Sequence, residues 1–271
     1  MPKQRLDLLL VECGLSESRA KAQALIMAGQ VRVDGQVELK ASAAIAPEAQ
    51  LELEMGPRFV SRGGDKLEAA LGTFPVEVSG RVCADVGAST GGFTDCLLQH
   101  EAAKVYAIDV GKGILHWKLR TDPRVVVMEE TNARYVESLP EPVSLVTIDA
   151  SFISLKILLP VVKGWLLPPS PLHPSPVGRG AGGEGEVLAL IKPQFEAGRK
   201  ESAKHKGVIR DPDVHAAILM DILAFAQGQD FGVRGLLRSP VLGPKGNVEF
   251  LVWLEVGERG LDTQKVLEMI K

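Results

Sequence analysis

Residues 81–99 read RVCADVGASTGGFTDCLLQ, the order of residue types expected of a strand, a glycine turn and the start of a helix. Val82, Cys83, Ala84 and Val86 suit a buried parallel strand, Gly91 and Gly92 break it, and Phe93 to Leu98 resumes at helical spacing. Turns of this kind hold nucleotide-type ligands, and the residues missing here narrow the choice. A phosphate-gripping loop needs G-x-x-x-x-G-K-[ST], but Phe93 stands at the lysine position. The dinucleotide pattern G-x-G-x-x-G would need a glycine at Ser89. The carboxylate of Asp85 at the strand end would repel a pyrophosphate and suits a cation. A cationic sulfonium therefore fits better. Asp109 ends the next strand, KVYAID, at the distance of about twenty residues where an acid in such folds accepts the two ribose hydroxyls of an adenosine.

Outward from this stretch, apolar strands alternate with helical segments: KVYAID, RVVVM, VSLVTID and EVLALIK. That alternation predicts an α/β fold, a doubly wound parallel sheet with helices on both faces. VRGLLRSPVLG and NVEFLVWLEV have little helical sequence between them and should close the sheet as an antiparallel pair at one edge. Upstream, a helix from Lys66 to Leu71 leads into the strand at Arg81. Residues 56–66, GPRFVSRGGDK, form a short basic joint broken by Gly56-Pro57 and Gly63-Gly64.

Before the joint, residues 3–13 place Leu6, Leu9, Leu10 and Cys13 on one helical face. A second helix starts near Ser16 or Ser18 and stops at Gly29. VRVDGQV then reads as a hairpin, because both positions of an Asp-Gly turn need positive φ. Two domains result, residues 1–60 and 61–271. Pro168 to Glu186, PPSPLHPSPVGRGAGGEGE, is proline, glycine and serine with no apolar period, and reads as a disordered surface insertion.

A chain of 271 residues with 45% hydrophobic content can bury real cores, and its formal net charge of -3 argues against indiscriminate polyanion binding. The three cysteines contain no C-x-x-C, and Cys83 and Cys96 fall within the central strand and helix, so buried thiols in a reducing cytoplasm are expected. The apolar run after Lys3 and Arg5 is cut by Asp7 and Glu12, so no export signal is read. The later run ILLPVVKGWLLPP is interrupted by Pro160, Lys163 and Gly164, so no membrane association is expected. Of five histidines, His205 lies in the basic stretch after Lys192, and His100, His116, His173 and His215 show neither metal-ligand nor triad spacing, so no metal is expected.

DVGASTGGFTD resembles motif I of the S-adenosylmethionine-dependent methyltransferases. More narrowly, nearly the whole chain is similar to the TlyA family, whose members carry both hemolysin and ribosomal RNA 2'-O-methyltransferase names and whose catalytic domain is related to the FtsJ enzymes. The resemblance implies a Rossmann-like class I methyltransferase fold with an antiparallel last strand. It implies S-adenosylmethionine as cofactor, and ribosomal RNA or ribosomal subunits as partner. The acceptor it implies is a ribose 2'-hydroxyl, of cytidine. RLD, SRAKAQALI and G-x-V-x-V-D-G resemble a small S4-type α+β RNA-binding module, with Arg5, Arg19 and Lys21 as phosphate contacts.

Moving a methyl from a sulfonium to a ribose hydroxyl requires an in-line donor and loss of a weakly acidic proton. Reactive side chains in doubly wound sheets gather at the carboxyl ends of the strands, where Asp149 and Lys192 fall. FtsJ-like enzymes use a K-D-K-E tetrad, which the resemblance carries onto Lys66, Asp149, Lys192 and Glu249. Lys192, tuned by burial and by nearby Lys66, is the candidate that orients or deprotonates the hydroxyl. Asp149 would counter its charge, and Lys66 and Glu249 would position the ribose. An isolated lysine at a strand end is by default a surface ion; four filled positions in four local motifs overturn that default. For the donor, Gly87, Ser89, Thr90, Gly91 and Gly92 would allow backbone approach, Asp85 and Asp109 would face its charge and ribose, and Asn132 the adenine edge. Residues 192–210 hold six Lys/Arg against two Glu, a candidate basic loop beside the acceptor. Two other functions compete: a membrane-lysing protein of hemolysin type, which needs export and spanning or amphipathic segments, and a non-catalytic RNA-binding protein, in which the tetrad should have decayed. Oligomeric state is not readable.

Overall fold

The computed structural model describes residues 3–54, 56–167, 185–198, 207–257 and 260–268. The chain divides into two compact units, residues 1–58 and 59–271.

In the first unit, β1 (Gln4–Arg5) leads into α1 (Leu6–Glu12), and α2 (Arg19–Met27) follows. Ser18 caps α2 by accepting from the Lys21 amide at 3.2 Å, satisfying one of the free donors of its first turn. β2 (Val31–Val33) and β3 (Gln36–Val37) form the expected hairpin, with Asp34 and Gly35 both at positive φ. Three strands were not anticipated: β1, which falls where residues 3–13 read as helix, β4 (Ala44–Ile45), which pairs with β1, and β5 (Leu51–Leu53), which adds to β2. Leu6, Leu10, Ala22, Ile26 and Val31 make the small core.

The second unit begins at Phe59, two residues before the boundary expected from the sequence. Its ring is buried against α3 (Gly63–Thr73), so closely that a side chain at Gly64 would meet it. The remaining elements are β6 (Val82–Val86), α4 (Gly92–Gln99), β7 (Lys104–Ile108), α5 (Trp117–Arg120), β8 (Val125–Met128), β9 (Leu145–Ile148), α6 (Leu155–Lys163), β10 (Glu186–Ile191), α7 (Pro193–Glu196), α8 (Pro212–Gly228), β11 (Phe231–Arg238), β12 (Phe250–Val256) and α9 (Thr263–Glu268). The sheet runs β11-β12-β10-β9-β6-β7-β8. The five strands from β10 to β8 are parallel, while β12 is antiparallel to both its neighbours.

Side chains alternate across each strand and both faces are covered, which explains why the strands read as nearly unbroken apolar runs. Cys83, Val105, Ala107 and Leu188 pack beneath α3 and α4, while Ala84, Val86, Ile108, Val146 and Ile191 pack with α6 and α8. The chain leaves β6 towards β7 and β8, then returns to the other side of β6 as β9. The carboxyl ends of β6 and β9 are therefore the topological switch point, where folds of this class open a ligand crevice.

The predicted insertion, 168–186, lies outside the described residues except at its end, which needs correction. Glu186 is the first residue of β10, paired with Glu255 and Leu145, and its carboxylate is held by Arg81 and by the Trp253 indole N–H at 2.8 Å. Among the described residues, no helix is long and apolar enough to cross a membrane.

Candidate active site

β6 delivers the chain into a turn at Gly87, whose φ is +83°. A Cβ there would come within 2.8 Å of the Asp149 carbonyl oxygen and 2.9 Å of Ala150 Cα, so only glycine lets the first turn pass the end of β9. Gly91, in the left-handed conformation, then caps α4. The Asp109 carboxylate braces this turn, accepting from the Ser89 amide at 2.8 Å and the Gly111 amide at 2.7 Å.

Four ionisable side chains from distant parts of the sequence converge beside the turn. Lys66 comes from α3, Asp149 follows β9 and Lys192 follows β10. Glu249 immediately precedes β12, and because Phe250 pairs antiparallel with Ile191, it lies at the same end of the sheet as Lys192. Lys66 Nζ is 2.7 Å from Glu249 Oε2 and 3.8 Å from Asp149 Oδ2; Lys192 Nζ is 2.5 Å from Asp149 Oδ1. The result is a line of alternating charge, Glu249, Lys66, Asp149, Lys192. The Glu249 side chain is fully buried and that of Asp149, the most open of the four, is 19% exposed. Charges so far from water persist because each has an opposite partner, and removing one would strand another. Lys192 also donates to Ser151 Oγ at 3.0 Å and to the Asp149 carbonyl at 3.3 Å.

These side chains and the turn line one cavity of about 710 Å³, shared by Gly87, Ser89, Thr90 and Gly92 on one side and Lys66, Asp149, Lys192 and Glu249 on the other. The Oε1 atoms of Gln194 and Glu249 are buried in it without a hydrogen-bond partner among the described residues. A glycine-only turn, an open acid at its rim and unfilled acceptors fit a cationic adenosine-bearing donor, which would lie between the turn and Asp149.

Two sequence expectations change. Asp85 does not face the cavity: it is wholly buried under the turn, accepting from Thr94 Oγ1 at 2.6 Å and Thr147 Oγ1 at 3.2 Å. Burial pushes its carboxyl up to about 7, against the Thr94 hydrogen bond and with help from the Asp149 charge. Asn132 is exposed, and its side-chain oxygen accepts from the Arg134 amide at 3.2 Å, capping a short 3-10 turn. The basic loop, 192–210, is outside the described residues at 199–206. Its far end is pinned by Asn247, which donates to the Gly207 carbonyl at 3.1 Å and accepts from the Ile209 amide at 3.3 Å.

Sequence reasoning missed Ser151, Phe152, Gln194 and Phe195, which line the same cavity. Phe152 is 90% exposed with φ +64°, a strained conformation for a bulky residue, and its ring lies 4.8 Å from that of Phe195. Both follow the carboxyl ends of β9 and β10, and that position was the available signal.

In the first unit, the carboxylate of buried Asp7 accepts from Arg5 at 2.9 and 2.8 Å, Arg19 at 2.9 Å and Gln23 at 2.8 Å. These donors, Arg5 foremost, hold its carboxyl well below the usual carboxylate range. Arg5 and Arg19 stay 41% and 54% exposed, and Lys21 pairs with Glu17 at 3.0 Å on the surface.

Comparison with known proteins gives this architecture a family. Residues 59–256 match the FtsJ-like methyltransferase family and residues 4–51 the S4 domain. The chain is 45% identical over 273 residues to a Bacillus subtilis protein provisionally named rRNA methyltransferase YqxC, covering 98% of this chain and 90% of that one. It is 41% identical over 256 residues to the 16S/23S rRNA (cytidine-2'-O)-methyltransferase TlyA of Mycobacterium tuberculosis, covering 93% and 90%. A solved Streptococcus thermophilus protein, provisionally named a hemolysin, superposes with a TM-score of 0.69 at 40% identity, covering 99% and 96%. The chain belongs to the TlyA family of S4-bearing, FtsJ-like methyltransferases, for which S-adenosylmethionine is the methyl donor.

Proposed function

We propose that this chain methylates a ribose 2'-hydroxyl, of cytidine, in ribosomal RNA presented by ribosomal subunits in the cytoplasm. The observation that carries this reading is the buried Glu249–Lys66–Asp149–Lys192 line opening into the same cavity as the glycine turn. Bound S-adenosylmethionine supplies an electrophilic methyl. Asp149, the more open of the two carboxylates, would face the sulfonium charge. Lys192 Nζ would hold O2' and, in its neutral form, accept the proton that leaves as the oxygen–carbon bond forms and the sulfur–carbon bond breaks. Asp149, at 2.5 Å, then stabilises the ammonium that results. Lys66, clamped by Glu249, holds Asp149 from the other side and fixes the ribose.

Phe152 and Phe195 offer an apolar face at the mouth for the base attached to that ribose, since stacking on an aromatic ring offsets the cost of unstacking it. Phosphate contacts come from the outward faces of Arg5 and Arg19 and from Lys21. The hemolysin reading has no comparable physical support, because the buried tetrad serves no step in membrane lysis.

The test is incubation of the full chain with purified ribosomal subunits and methyl-labelled donor. Label should appear as 2'-O-methylcytidine in ribosomal RNA. Label on a base, or in no ribosomal RNA, would refute the assignment.

A further inference from the structure

Outside the lining of the cavity, three chemically different donors meet. Glu68 lies on α3, Cys96 on α4, and His100 caps the end of α4. Their ligand atoms all lie within 4.8 Å of one another. His100 Nε2 is 2.7 Å from Glu68 Oε2, and Cys96 Sγ is 3.7 Å from the same oxygen. Cys96 and His100 are four residues apart and so share a helix face. The thiol is fully buried, while the His100 and Glu68 side chains are 35% and 29% exposed.

We infer that Glu68, Cys96 and His100 form a site for a zinc-class transition metal, independent of the methyl-transfer chemistry. A thiolate, an imidazole and a carboxylate are the donor set that selects zinc or cobalt over magnesium and calcium, which take oxygen alone. Tetrahedral bonds of about 2.0–2.3 Å put neighbouring ligand atoms about 3.3–3.6 Å apart. The sulfur–oxygen separation, 3.7 Å, lies about 0.1 Å beyond that range. The imidazole must swing about 0.6 Å from the carboxylate and close on the sulfur, which lies within 4.8 Å of it, and its exposed side leaves room. On binding, the sulfur–metal bond replaces the Cys96 S–H, the proton passes to solvent, and water completes the fourth position through the exposed edge. The metal would clamp the helix that carries Lys66 to the helix that begins at Gly92. The ordinary alternative is a histidine–carboxylate pair bridging two helices over an apolar thiol.

Titrating the full chain with Co²⁺ and then Zn²⁺ separates the two, in a Cys13→Ser background that removes the exposed thiol. One equivalent of Co²⁺ should produce a thiolate-to-cobalt charge-transfer band that Zn²⁺ displaces. The band should vanish in Cys96→Ser, and affinity should fall at least tenfold in His100→Ala. If Cys96→Ser fails to fold, the surface pair Glu68→Gln with His100→Ala carries the test. No thiolate band, a band surviving Cys96→Ser, or unchanged affinity in the double variant would overturn the site.

Discussion

Two groups of paired charges can be set side by side: the Glu249–Lys66–Asp149–Lys192 line in the second unit and the Arg5–Asp7–Arg19 cluster in the first. Both contain a fully buried carboxylate, Glu249 in one and Asp7 in the other, held by cations. They differ in where the cations end. The lysine side chains are 10% and 8% exposed, so little of either charge remains available to anything outside the cavity. The arginines keep about half their surface in water. Buried pairing fixes geometry, as proton transfer requires; half-buried pairing orients a guanidinium while leaving its outer edge free for a phosphate. On the proposed function, one ion-pair motif would serve chemistry in one unit and docking in the other, with burial deciding which.

The sharpest break in that comparison is removal of a charge from the buried line. Lys192→Ala should lower methyl transfer by about 10³-fold, within the range for a lost acid–base group, while donor affinity by calorimetry changes little. Asp149→Ala should lose as much turnover and also weaken donor binding, because on the proposed function it would face the sulfonium. If Lys192→Ala keeps most of its activity, the line is a structural brace and the proton leaves by another route.

Next in size is separation of the two groups. A chain starting at Phe59 keeps the cavity and both buried cores of the second unit. It should bind S-adenosylmethionine as the full chain does yet methylate ribosomal subunits at least 100-fold more slowly. Full activity in the shortened chain would place docking in the second unit, with the basic loop after Lys192 as the candidate.

The sequence made the buried line legible for a physical reason that also marks its limits. Strands covered on both faces are written as apolar runs, so β6, β7, β9 and β10 and their carboxyl ends could be placed, and Asp149 and Lys192 with them. Lys66 and Glu249 came from family resemblance, since nothing local says that α3 and the start of β12 meet at 2.7 Å. Ser151 and Phe152 lie in a loop without a period, and α7, which holds Gln194, is too short to show one, as are β4 and β5. Asp85 was misjudged because alternation alone puts the last residues of a strand on opposite faces without saying where the sheet ends and the cavity begins.

Asp85 gives the third prediction. Its folded carboxyl, at about 7, lies above the unfolded value near 3.9, so its contribution to stability is fully present below pH 4 and is lost as pH rises through 7. Asp85→Asn removes that loss. The urea-unfolding difference between variant and wild type should move in the variant's favour from pH 4 to 7, by at most about 1.4 kcal/mol per pH unit, and then level off. Parallel curves would mean that Thr94 and Thr147 keep the carboxyl ionised despite its burial.

The smallest effect tests the exposed half of the comparison. If the outer edges of Arg5 and Arg19, together with Lys21, neutralise phosphates, the logarithm of the full chain's affinity for ribosomal RNA falls linearly with the logarithm of salt concentration. Each lost contact should flatten that slope by about 0.7–0.9. Lys21→Ala is the cleanest single change, because its ammonium pairs with the exposed Glu17 and the amide that Ser18 accepts from is kept. It should cost about one contact and leave unfolding unaltered, surface ion pairs being worth little. Arg19→Ala should flatten the slope equally and also lower stability, because buried Asp7 loses a donor and keeps only Arg5 and Gln23. A wild-type slope in both variants would show that Asp7 has drawn these charges into structure alone, and that half-burial does not make a docking surface here.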